Sequence, residues 1–135
     1  MYLQKQGYLN TTFKLLEGMK VKLINEPQNF SERLSSIFPG LEFINKLQQL
    51  VDSIFLFVQS KDELVVELPI LSKFVKNEGF LIISIPNRNM SFISDINDVT
   101  LNMLAKKFSM KLLEKSILDD AWDSYVYTHD GKVLL

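Results

Sequence analysis

The sequence predicts a three-layer α/β domain on a mostly parallel sheet, closed by an antiparallel C-terminal strand. Two runs, Ser53-Ile54-Phe55-Leu56-Phe57-Val58 and Phe80-Leu81-Ile82-Ile83-Ser84-Ile85, are almost continuously apolar. That pattern suits strands covered by helices on both faces, as in parallel sheets. Between them lies a segment with helix start and stop signals, and such a strand-helix-strand unit closes as a right-handed crossover between parallel neighbours. The seven-residue link 117–123 is short enough for an antiparallel return, so the last two strands are expected to form a hairpin at one sheet edge.

Taken in order, Asn10 can cap a short helix through Leu16, its side-chain oxygen accepting from the free amides of the first turn, and Gly18 stops it. Met19 to Asn25 is the first strand. Pro27 sits well at the start of the next helix, where its missing amide costs nothing. Phe30, Leu34, Ile37 and Phe38 then recur at helical spacing until Pro39-Gly40. Leu41 to Ile44 forms a short second strand, and the polar link 45–50 is compatible with a helical turn.

The run from Ser53 to Val58 is the third strand and the expected centre of the sheet. Ser60 and Glu63 have capping-box spacing, in which the serine oxygen accepts from the glutamate amide and the glutamate side chain reaches back to the serine amide. Leu64, Leu68, Leu71 and Val75 continue the apolar face of this helix. Pro69 removes a backbone donor in mid-pattern and should kink or split it. Asn77-Glu78-Gly79 should terminate it, with Gly79 free to take positive φ. A fourth strand at 80–85, a helix at 97–108 with Val99, Leu101, Met103, Leu104 and Phe108, and strands at 110–116 and 124–128 complete one domain over 1–135. Asp130-Gly131 signals a tight turn before a tail that folds back or frays. The expected order is 2-1-3-4-6-5 by sequence number, with the sixth strand antiparallel.

Composition removes whole classes of chemistry. The 135 residues are 47% apolar with 10 Phe, enough for a core without staples. Without cysteine there is no disulfide, thiolate zinc site or cysteine nucleophile, and with His129 as the single histidine a multi-histidine metal site within one chain is excluded. Fifteen basic residues against sixteen acidic ones leave a net charge of -1, so no global field favours nucleic acid. The N-terminus from Met1 to Gln6 lacks the apolar run of a signal peptide. Ile54 to Val58 is far too short to cross a bilayer, so a soluble cytoplasmic protein without membrane contact is expected.

In open α/β sheets the ligand crevice lies beyond the carboxyl ends of the strands, where the strand order reverses. This places Asn25, Glu26, Gln59, Ser60, Asn87 and Arg88 around one rim as candidate ligand-binding residues. Polar residues also occur at strand exits simply because chains turn there, and fold alone does not establish function. The loop Glu26-Pro27-Gln28-Asn29 contains no glycine, although glycine is what lets a phosphate or ribose approach the backbone at this turn. No cofactor is therefore expected.

Other polar residues have plain structural readings. Ser60 is explained by the capping box, and no Gly-x-Ser-x-Gly elbow accompanies it. Asp119, Asp120 and Asp123 lack the glycine and distal glutamate of a calcium loop. Trp122 suits packing against the sheet edge better than anchoring a partner. Lys106, Lys107, Lys111 and Lys115 read as a solvated face, and Tyr125 and Tyr127 share one strand face on which they pack.

Gly7-Tyr8-Leu9-Asn10-Thr11-Thr12, Leu16-Glu17-Gly18-Met19, Asn25-Glu26-Pro27, Phe57-Val58-Gln59-Ser60 with Glu63-Leu64, and Asp120-Ala121-Trp122 follow in one order across nearly the whole chain. As a set they resemble a family of short, uncharacterised bacterial proteins related in fold to class I S-adenosylmethionine-dependent methyltransferases. Members often carry a Gly-Tyr-Ser-Gly-type start and a lysine pair after the fourth strand's proline. Here Leu9-Asn10 and Asn87-Arg88 stand in those places. The resemblance implies a shortened Rossmann-like sheet and no established reaction. Methyltransferases proper use a glycine-rich first loop and an acidic residue ending the second strand, where this chain has Glu26-Pro27-Gln28-Asn29 and Ile44-Asn45. The expected role is a non-catalytic module that binds a protein or a small metabolite, or that self-associates through its hairpin edge; an active transferase with a divergent cofactor loop is the alternative.

Overall fold

The computed structural model describes residues 15–87, 94–118 and 121–130. Strands β1 (Lys20–Ile24), β2 (Glu42–Phe43), β3 (Val51–Phe57), β4 (Val75–Pro86), β5 (Met110–Ile117) and β6 (Trp122–His129) form one sheet in the order β2-β1-β3-β4-β6-β5. Neighbours pair in parallel from β2 to β4, and β6 runs antiparallel to both β4 and β5. Order and directions are those predicted above.

Among the described residues three helices cover the sheet: α1 (Phe30–Ile37), α2 (Lys61–Leu71) and α3 (Asp98–Lys107). Successive side chains of β3 serve opposite layers, as the strand period of two requires. Ile54, Leu56 and Val58 pack with Leu64, Leu68 and Leu71 of α2 and Leu101 and Ala105 of α3. Phe55 and Phe57 pack with Phe30 and Leu34 of α1, and Trp122 meets Phe57 edge-on at 5.1 Å between centroids. Tyr125 and Tyr127 lie together in the α2 and α3 layer.

Several boundaries differ from expectation. Pro69 does not split α2; the helix runs through it to Leu71, and the Ser72 amide still donates to Leu68 at 3.0 Å. The carbonyl left without a donor belongs to Val65, whose residue is solvent-exposed, so water can replace the missing amide. Val75 opens β4 rather than closing α2. Asn77, Glu78 and Gly79 lie inside that strand and end no helix.

The pairing explains the misreading. Between the Val51–Val75 and Ser53–Phe80 partners β4 contributes extra residues, a bulge that breaks the apolar run. Gly79 takes no positive φ there; a Cβ would lie 2.4 Å from the Asp52 carbonyl oxygen, so close backbone approach demands glycine. Asp52 itself accepts from the Lys20 amide at 2.7 Å and pairs with Lys76 at 3.1 Å. Residues 45–50 form bends and no helical turn. The predicted helix at 10–16 falls outside the described residues except for Leu15 and Leu16, as do Arg88, Asp119, Asp120 and the tail beyond Asp130.

Candidate functional site

The neighbouring parallel strands β2, β1, β3 and β4 end on the crevice side, and their exits are built differently. At the end of β1 the chain turns on Asn25 at φ 59, and Asn29 before α1 sits at φ 67. Asparagine is among the few residues that tolerate this left-handed region. The sharp turn is thus achieved without glycine, and every residue in it keeps its Cβ. Asn29 makes no side-chain cap to α1.

Glu26 lines a cavity of about 290 Å³ between the exits of β1 and β2, with Lys22, Ser31, Phe43, Ile44 and Asn45 among its walls. The Lys22 ammonium donates to the Asn45 carbonyl at 2.5 Å, tying the two exits together. Glu26 and Asn45 are solvent-exposed.

The exit of β3 is a knot of internal hydrogen bonds. Ser60 accepts from the Glu63 amide at 3.2 Å, while the Glu63 carboxylate accepts from the Gln59 amide at 2.7 Å, one residue earlier than the capping box predicts. The Ser94 hydroxyl donates to the Gln59 carbonyl at 2.9 Å, and the Asp95 carboxylate accepts from the Lys61 amide at 2.8 Å. Two first-turn amides of α2, which would otherwise favour an external anion, are thereby taken by the chain's own oxygens. At the exit of β4 the Asn87 amide donates to the Ala121 carbonyl at 2.9 Å.

Glu26 therefore belongs to the β1–β2 cavity, whereas Gln59 and Ser60 belong to the separate knot at α2. Asn87 continues the pairing toward the hairpin, and Arg88 lies outside the described residues. Lys22, Ser31, Ser94 and Asp95 were missed by sequence reasoning. Lys22 is a regular, half-buried residue of β1 whose partner Asn45 is 23 residues away, and Asp95 is 34 residues from its partner Lys61, separations that carry no local signal. Among the described residues no group of three or more His, Asp or Glu side chains is placed to hold a metal ion.

The sheet order, its antiparallel β6 and the flanking helices define a Rossmann-like, methyltransferase-like fold. Solved structures of low sequence identity share it. An O-methyltransferase family 2 protein from Planctomyces limnophilus aligns at TM-score 0.64 and 6% identity, over 84% of this chain and 50% of that one. Magnesium protoporphyrin IX methyltransferase from Synechocystis PCC 6803, solved with bound S-adenosylhomocysteine, aligns at TM-score 0.58 and 7% identity, over 84% and 75%. The Methanococcus jannaschii fibrillarin pre-rRNA processing protein aligns at TM-score 0.53 and 12% identity, over 90% and 71%. No protein-family model and no curated protein matches the sequence. Likeness at these identities establishes the fold alone.

Proposed function

We propose that this chain is a non-catalytic methyltransferase-like module, akin to the short bacterial proteins its motifs resemble, and that it binds a small metabolite or a protein segment at the crevice. The observation that carries this reading is the knot at the β3 exit. Asp95, Ser60, Glu63 and Ser94 engage the backbone groups of Gln59, Lys61 and Glu63 from within. A ligand arriving there would have to displace charged and hydroxyl partners from backbone groups, losing about 1–3 kcal/mol for each group left unpaired. The glycine-free turn at Asn25 to Asn29 adds a steric reason on the other side of the crevice.

The β1–β2 cavity supports the binding half of the proposal. Its volume reaches the lower end of small-ligand pockets, and Lys22, Glu26, Ser31 and Asn45 offer both donors and acceptors beside the apolar Phe43 and Ile44. The same cavity supports the alternative, an S-adenosylmethionine-dependent transferase with a divergent loop, because the Glu26 carboxylate could accept from hydroxyls of a ribose.

Denaturant unfolding with S-adenosylmethionine separates the two. A specific site would raise stability by about 2.7 kcal/mol at a hundredfold excess over its dissociation constant. The non-catalytic reading expects an unchanged unfolding curve at millimolar cofactor. A saturable rise that disappears in Glu26→Gln would show a cofactor site at the β1–β2 cavity and count for the transferase reading instead.

A further inference from the structure

A second cavity, about 520 Å³, opens at the amino ends of β3 and β4, the end of the sheet opposite the crevice. Sequence and topology build it directly. β4 begins at Val75 shortly after α2, α3 ends beside Phe108, and Ser109 turns at φ 61 into β5. β6 runs antiparallel and returns His129 to the level of Met110. His129 Nε2 lies 2.8 Å from the Val75 carbonyl oxygen, and the Asp130 amide donates to the Ser109 carbonyl at 2.7 Å. A carbonyl only accepts, so Nε2 carries the proton and fixes the ring with Nδ1 uncommitted.

The lining combines two chemistries. Leu50, Val75 and Phe108 supply an apolar wall, and Lys73, Asn77 and Ser109 supply an ammonium, an amide and a hydroxyl. Among the described residues these three polar side chains make no hydrogen bond or ion pair. Among the described residues no carboxylate lines the cavity; Glu78 is a sequence neighbour of Asn77, Asp130 meets the rim through its backbone amide on Ser109, and Lys76 is committed to Asp52. Lys106 and Lys107 lie in the last turn of α3, just before Phe108 of the lining. One ammonium with neutral donors suits a singly charged head better than a doubly charged one.

We propose that this cavity binds a small carboxylate with an apolar body, its head on Lys73, Asn77 and Ser109 and its hydrocarbon against Leu50, Val75 and Phe108. The inference is independent of the crevice and of the function proposed for it.

Because His129 is the single histidine of the chain, its imidazole resonances report this cavity without ambiguity. Hexanoate, titrated to about 20 mM at fixed pH and ionic strength, is expected to shift them saturably, with millimolar affinity in keeping with so small a ligand. Hexanol and inorganic phosphate should each bind at least about tenfold more weakly, since one lacks the head and the other the body. Lys73→Gln, at an exposed position that leaves the fold intact, should weaken hexanoate about tenfold. Absence of a saturable shift with hexanoate overturns the proposal. So does equal binding of hexanol or of phosphate, or hexanoate binding unchanged by Lys73→Gln.

Discussion

The Tyr127 ring is buried between the sheet and α3, and its hydroxyl donates to the Asn102 side-chain oxygen. Burial pushes the phenol pKa well up, because a phenolate there would lose its water, and the nearby Tyr125 and Asp98 push the same way. An unfolded tyrosine titrates near about 10. Above that pH the unfolded chain releases a proton that the folded chain retains, so stability is complete below about pH 10 and falls as pH rises further. Tyr125 is raised as well, chiefly by burial, with the Lys115 ammonium 5.4 Å from its ring centroid opposing part of the effect. Melting temperatures followed into alkali should therefore drop more steeply in the native chain than in Tyr127→Phe, which itself loses about 1 kcal/mol at neutral pH with the hydrogen bond. Identical alkaline slopes would contradict this assignment. Residue-level legibility was uneven for a physical reason. Ser60 announced its cap through a contact three residues away, whereas Asp95 reaches the same helix end from a distant segment.

At the scale of elements, the central strands were legible because burial on both faces leaves an unbroken apolar run. Boundaries were not, wherever pairing overrode local signals. Asn77-Glu78-Gly79 has the composition of a helix stop, yet the ladder to β3 captures it as a bulge, and glycine is required by the Asp52 carbonyl rather than by φ. Gly79→Ala should accordingly destabilise the domain by about 1–3 kcal/mol through overpacking between β3 and β4. Chemical denaturation measures the change directly, and a loss within about 0.5 kcal/mol would show that the strands can part there without strain. α2 shows the converse: Pro69 is a residue that should kink or split a helix, but with Val65 facing solvent the lost amide does not split it only two residues from its end.

For the whole molecule, the strand order follows from two apolar strands, a crossover and a short final link, all of which the sequence displays. The crevice was less legible: of the six candidates at strand exits, Glu26 lines the β1–β2 cavity, Gln59 and Ser60 belong to an internally bonded knot, Asn25 makes the β1 turn, Asn87 bonds toward the hairpin, and Arg88 lies outside the described residues. No helix among the described residues is long and apolar enough to cross a membrane. At the edge of the sheet β5 exposes Leu112 and Leu113. The proposed function requires that this methyltransferase-like sheet does not hold the methyl donor. Crystals soaked with S-adenosylhomocysteine decide it: no ordered adenosine density is expected between Glu26 and Asn45, and a fully occupied nucleoside resting on the Glu26-Pro27 turn would overturn the proposal.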